Sequence, residues 1–159
     1  MQDLLETKKE NLSCAFTGHR ELGEDFSQKS LKKQIKHLIE QGVKTFYDGG
    51  AIGFDLIAAE TVLKFRKRYG LKLILCVPFY GQESRFPARD KTRYQAIYKK
   101  ADEVVIVSEH YYRACFLKRN DYMIDRADYM IAYLNKEVGG TAYTVKKFRA
   151  KKGENVFFV

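Results

Sequence analysis

Apolar residues along this chain follow two habits: short continuous runs, and longer stretches in which they recur every three or four positions. Residues 12–16 form the first run and lead directly into Thr17, Gly18, His19 and Arg20. A helix is predicted from Ser27 or Ser30, because Leu31, Ile35, Leu38 and Ile39 share one face and Gly42 follows as a stop. The second run, residues 43–47, passes through Asp48, Gly49, Gly50, Ala51, Ile52, Gly53 and Phe54 to Asp55, then into a helical pattern ending near Tyr69. Residues 71–77 are apolar without alternation, as expected of a strand covered on both faces. The loop of residues 79–90 is long for a compact α/β fold, where long loops often carry function, and a helix over residues 91–100 follows it. Ala101-Asp102 and Ala127-Asp128 each open an apolar strand, with a helix over about residues 113–126 between them. Gly139, Gly140 and Thr141 then precede a basic helix to about Lys152, and residues 155–159 read as a last strand.

About six strands alternating with five helices predict an α/β, Rossmann-like fold: a mainly parallel sheet with helices on both faces. Ligands in such sheets sit beyond the carboxyl ends of the strands, near the point where strand order reverses. The three polar, glycine-bearing turns all follow strands, so one crevice can hold them. The turn from Asp48 to Asp55 has the make-up of an anion site, since the first amides of a helix have no intrahelical partner and glycines let a ligand approach the backbone.

Composition narrows the class. At 159 residues the chain is about one domain, expected over residues 11–159 behind a flexible lead-in of residues 1–10. The polar first ten residues do not fit a signal peptide, and no apolar run approaches the roughly 20 residues of a membrane span, so a cytoplasmic protein is expected. Cys14, Cys76 and Cys115 are an odd number without C-x-x-C spacing and read as buried reduced thiols. His19, His37 and His110 share no ligand spacing, so neither a metal nor another cofactor is expected. A net charge of +9 favours anionic partners, from nucleotides to nucleic acid. Much of it lies in residues 29–36, 64–68 and 146–152, where solvated helix surface is the simplest reading.

Thr17-Gly18-His19-Arg20 after the first strand, Gly49-Gly50-Ala51-x-Gly53-x-Asp55 after the second, and Gly139-Gly140-Thr141 after the fifth together resemble the SLOG superfamily, and within it the YpsA-like branch. That superfamily joins the DNA-processing protein DprA with the LOG phosphoribohydrolases. The resemblance implies a Rossmann-like domain that binds a nucleotide or nucleotide-derived ligand, ADP-ribose-like, as a sensor or as a glycosidic-bond hydrolase. It implies that Thr17 and Gly18 meet phosphate or ribose, that Arg20 supplies a guanidinium fork, and that Gly49, Gly50 and Gly53 form a phosphate-facing turn. Asn120 would read a base or ribose edge, and Arg119, Met123 and Asp125 match the same polar helix segment. Arg119 and Arg126 share a helix face that also reads as a surface stripe. A homodimer and a regulatory protein partner are further implied partners.

Asp55 has two readings: it accepts from ribose hydroxyls, or it bonds backbone amides of the Thr17 loop. The LOG hydrolases carry a Pro-Gly-Gly-x-Gly-Thr-x-x-Glu signature whose glutamate is catalytic. Here Gly140-Thr141 aligns with its Gly-Thr pair, the proline is missing, and Thr144 occupies the glutamate position. A hydroxyl cannot replace a carboxylate that polarises water. No Walker lysine, G-x-S-x-G elbow or H-E-x-x-H is present. The carboxylates left for a hydrolase are Asp55, Glu83 and Asp125, with Asp55 the candidate catalyst. Three functions follow: a nucleotide-ligand sensor, an N-glycosidase acting on a nucleoside phosphate, and DprA-like nucleic-acid binding.

Overall fold

In the computed structural model, which describes residues 11–159, the six apolar runs are strands of one sheet. They are β1 (Leu12–Gly18), β2 (Val43–Asp48), β3 (Lys72–Val77), β4 (Glu103–Ile106), β5 (Tyr129–Tyr133) and β6 (Val156–Phe158). Five helices alternate with them: α1 (Gln28–Glu40), α2 (Phe54–Tyr69), α3 (Ala88–Lys100), α4 (Cys115–Arg126) and α5 (Gly140–Lys152). The expected lead-in, residues 1–10, lies outside the described residues.

All five pairings are parallel, in the order β4-β3-β2-β1-β5-β6, so the sheet is wholly rather than mainly parallel. From β1 the chain steps outward through β2, β3 and β4, then crosses back to lay β5 on the other side of β1. Strand order therefore reverses between β1 and β5. Alternation along β1 shows how the two faces are filled: Cys14 and Phe16 join the core under α1, α2 and α3, while Ala15 joins the core under α4 and α5. On the first face Phe16 stacks on Phe46 at 5.6 Å and meets Phe54 edge-on at 6.1 Å. On the second, Met123 and Ile124 of α4 and Val145 and Phe148 of α5 pack over Ala15, Ile74, Cys76 and Met130.

Local chemistry sets the ends of the elements. Ser27 caps α1 by accepting from the Ser30 amide at 3.1 Å, and Gly70 closes α2 in the left-handed conformation, φ 65°. Helix α3 starts three residues earlier than its apolar spacing predicts, at Ala88, because Pro87 stands just before it with a preset φ. Strand β1 runs two residues past the predicted 12–16, since Thr17 and Gly18 remain paired with Ala132 and Tyr133 of β5. The two Ala-Asp echoes share a structural task. Asp102 accepts from the Leu73 amide at 2.8 Å and Asp128 from the Ser13 amide at 2.9 Å, each fixing the start of a neighbouring strand. Cys14, Cys76 and Cys115 are buried and free. Among the described residues no helix is long and apolar enough to cross a membrane.

Candidate functional site

The carboxyl ends of β1, β2 and β5 bring three turns together beside the switch point, and close packing joins two of them. A Cβ at Gly18 would overlap the Phe54 ring, and one at Gly53, whose φ is 84°, would overlap the backbone of Arg20. The Phe54 amide donates to the His19 carbonyl at 3.1 Å. The β1 turn is thus seated on the N-terminus of α2, and the first amide of that helix is already used within the chain. Asp55 completes the turn by accepting from the Ala51 amide at 3.2 Å.

The N-terminus of α5 is different. It opens at Gly139, φ 99°, with no side-chain cap and no acidic residue in its first turn. A helix begins with amides that have no intrahelical partner and with the positive end of its dipole, so this end can receive an anion. Gly140 and Thr141 line a cavity of about 280 Å³ together with Thr17, Gly18, His19, Arg20, Asp55, Arg119 and Asn120. A second cavity of about 560 Å³ shares Arg20, Ala51 and Phe116 with the first and is walled by Phe79, Phe86, Tyr111, Gln82 and Arg85. Phe79 meets Tyr111 and Phe116 edge-on, with centroids 5.4 and 6.0 Å away. Arg20 stands at the seam, 5.9 Å from the Phe116 ring centroid.

Arg119 is the buried cation of the site, only 5% exposed. Its Nη1 donates to the carbonyls of Gly49 and Cys76, and its Nε donates to Asn120 Oδ1 at 2.8 Å. Asn120 Nδ2 in turn donates to Thr144 Oγ1 at 3.1 Å, and Thr144 Oγ1 donates to the Gly140 carbonyl at 2.8 Å. A continuous chain of hydrogen bonds therefore runs from the β2 turn through α4 to the first turn of α5.

Burial pushes the Asp55 carboxyl up to about 6, against Arg119, the Ala51 amide and Arg20, which pull it down. Asp48 is driven well above the ordinary carboxylate range, by burial first and by Asp55 second. One of its oxygens accepts from the Gly50 amide at 2.8 Å and the other has no partner among the described residues. Burial lowers Arg119 from its ordinary value, with Asp55 the largest opposing influence. His19 is lowered by burial and by Lys136, and its Nε2 accepts from the Asn135 amide at 3.1 Å, which makes it a local hydrogen bonder.

Of the residues expected at the site, Thr17, Gly18, Arg20, Asp55, Asn120, Gly140 and Thr141 line one cavity, and Gly139 stands exposed at the turn leading into it. Gly49, Gly50 and Gly53 do not line it. Gly49 lies against Arg119 Nη1 and Asp55 Oδ2, and Gly50, φ 70°, against Tyr94, Gln82 and Leu75, so these glycines make room for protein side chains. Asp55 binds an amide of its own turn rather than of the Thr17 loop. Three carboxylates do not gather: Asp125 is exposed and paired with Lys151 at 2.9 Å, and Glu83 lines a separate cleft beside β4. The surface-stripe reading holds for Arg126, which lies over the Tyr122 ring, and fails for Arg119. The spacing Cys115, Arg119, Met123 was the available signal, because it places the arginine on the buried stripe of α4. Thr144 is fully buried and bonded, so the position of the signature glutamate is a structural link between α4 and α5.

A doubly wound parallel sheet with a polar crevice at its switch point defines a Rossmann-like α/β protein. Within that class the chain belongs to the YspA SLOG family, which matches it over residues 15–159. It is 32% identical over 128 residues to a UPF0398 protein of Bacillus pumilus, covering 79% of this chain and 67% of that one. To the UPF0398 protein of Bacillus velezensis it is 27% identical over 119 residues, 73% of this chain and 65% of the relative. The chain thus spans about two thirds of the length of these relatives. Among solved structures it resembles DprA of Streptococcus pneumoniae, with TM-score 0.66 and 22% identity over 99% of this chain and 52% of that one. DprA of Helicobacter pylori, described for its single-stranded DNA binding mode, aligns with TM-score 0.62 and 22% identity over 99% of this chain and 68% of its own. At this identity the likeness is one of fold.

Proposed function

We propose that this chain binds a nucleotide-derived phosphate ligand in the crevice and acts as a sensor or regulatory module. The observation that carries the reading is the junction of two cavities at Arg20: a polar one at the open N-terminus of α5, and an aromatic one walled by Phe79, Phe86 and Phe116. Phosphate oxygens fit the free amides of Gly140 and Thr141, with the Arg20 guanidinium as a planar fork beside them. A base fits between the aromatic walls, where stacking is tolerant of its identity. Asp55 stands where it would accept from a ribose hydroxyl. Hydrolysis has less support, because Thr144 is buried in its own hydrogen bonds and Asp55 is the one carboxylate lining the cavity.

Thermal melting with nucleoside monophosphates, ADP-ribose and dinucleotides tests this. A true ligand at 100 times its Kd stabilises by about 2.7 kcal/mol, and Arg20→Ala is expected to remove the shift. If none of these compounds moves the melt, the nucleotide reading is wrong. Release of free base from a nucleoside phosphate, abolished in Asp55→Asn, would replace the sensor with an N-glycosidase.

A second reading places single-stranded nucleic acid in the same crevice. The net charge of +9 and the fold shared with a DprA described as binding single-stranded DNA favour it. Its affinity would fall steeply with salt, whereas a single bound nucleotide is much less sensitive.

A further inference from the structure

Beyond the crevice, we propose that the outer side of α1, extended by the last turns of α2, is a docking surface for the phosphate backbone of double-stranded nucleic acid. Helix α1 carries Lys29, Lys32, Lys33 and Lys36 against a single carboxylate, Glu40. Lys29, Lys33 and Lys36 are exposed and stand opposite the buried stripe of Leu31, Ile35 and Leu38. None of the four has a carboxylate within 4.0 Å among the described residues, whereas cations between α2 and α3 and between α4 and α5 are paired: Arg93 with Glu60, Lys147 with Asp121, Lys151 with Asp125.

Their position makes the surface more than solvated charge. Lys29 falls in the first turn of α1, with Lys32 and Lys33 in the next, at the positive end of the helix dipole, and the first turn holds no acidic residue. A cation in the first turn opposes helix stability, and Lys29 with Lys33 and Lys32 with Lys36 are like-charge pairs four residues apart, so folding does not account for them. At Lys36 the row reaches α2: its Nζ lies 5.3 Å from the Phe65 ring, and exposed Lys67 and Arg68 stand on the same last turns of that helix.

The kind of polyanion follows from what the surface lacks. No large exposed hydrophobic residue lies on α1 or α2. An acidic membrane would be met with apolar side chains to insert, and a single strand with aromatic rings on which bases stack. A duplex presents neither need. Lys29, Lys33 and Lys36 rise along the helix by about 6 and then about 5 Å, and each strand of a duplex presents a phosphate every ~3.4 Å of the duplex axis, so each lysine can meet a different phosphate.

The test uses the full chain and a short labelled duplex, read by fluorescence anisotropy at about 50 and about 200 mM salt. The variant carries Lys29→Glu, Lys33→Glu and Lys36→Gln. Its duplex affinity is expected to fall at least about tenfold, and the slope of log affinity against log salt to shrink by about 0.9 for each phosphate no longer neutralised. Its melting temperature should not drop, because Lys29→Glu suits the positive end of α1 and Lys36→Gln relieves the repulsion with Lys32. Arg20→Ala should bind duplex as the wild type does, so failure of this surface and failure of the crevice reading are separable. The proposal is overturned by wild-type protein that ignores duplex at the lower salt, by a variant of unchanged affinity, by a variant that loses affinity only along with its fold, by Arg20→Ala losing duplex binding as fully, or by tighter binding to anionic lipid vesicles than to duplex.

Discussion

At Asp55 a single carboxyl links the crevice to the stability of the fold. Its pKa stands at about 6 against an ordinary value of 3.8, so across that window the folded chain keeps a proton that the unfolded chain has released. The contribution of Asp55 to stability is therefore present below the ordinary value and is lost as pH rises through about 6. Urea unfolding of wild type and Asp55→Asn at about pH 5, 6 and 7.5 reads this as a difference, in which titrating groups remote from Asp55 cancel and the part of the Asp48 shift that Asp55 causes is removed with it. The variant is expected to gain on the wild type as pH rises. A constant difference would mean that Arg119 and the Ala51 amide outweigh burial. The sequence shows an acid in the first turn of a helix, but not the arginine behind it, because Arg119 is brought to Asp55 by the crossing from β4 to β5. Gly49 has the same history: the sequence demands a missing side chain there, and either a ligand or a neighbouring guanidinium would satisfy that demand.

Elements were more legible than the roles of their ends. Continuous apolar runs and the three-to-four spacing locate the six strands and five α-helices of the described chain, because burial on one face or two leaves its period in the sequence; the short 3-10 turn Gln82–Arg85, inside the stretch read as a loop, has no such period. Strand order leaves no such trace. Only the pairing of Thr17 and Gly18 with Ala132 and Tyr133 explains why the first half of the motif after the first run is strand rather than loop. The glycines at the two helix N-termini are likewise alike in sequence and unlike in structure. Gly53 has a positive φ and no room for a Cβ against Arg20, while Gly139 has a positive φ and open space. Gly139→Ala is expected to cost about 2 kcal/mol from backbone strain alone, because φ 99° with ψ −173° is a conformation essentially confined to glycine. Gly53→Ala adds a collision with the Arg20 main chain and should cost clearly more, upward of about 3 kcal/mol. Chemical denaturation of the two variants side by side checks the order, and equal costs would mean that the β1 turn is not seated rigidly on α2.

Across the whole molecule the sheet has a centre and two margins. Strand β1 is paired on both sides and lies beneath helices on both faces, whereas β4 and the three-residue β6 each have one edge unpaired among the described residues. Native-state hydrogen exchange should therefore show the amides of Phe16 and Phe46 opening only with global unfolding, and those of β6 opening by smaller local events. Uniform protection across the sheet would contradict this. The switch point falls against the strand expected to be most protected, so a ligand bound there would rest on the part of the molecule expected to move least. The hydrogen bond from Phe54 to the His19 carbonyl has a consequence for how such a chain can diversify. It locks the spacing between the first turn and the second, so a residue added or removed there would unseat α2. The segment after Leu134 is held to the first turn at Asn135, but from Lys136 to Gly139 it carries no such tie among the described residues and can lengthen or shorten. Changes in what the crevice accepts are thus expected to accumulate along one bank, while the other stays fixed in length.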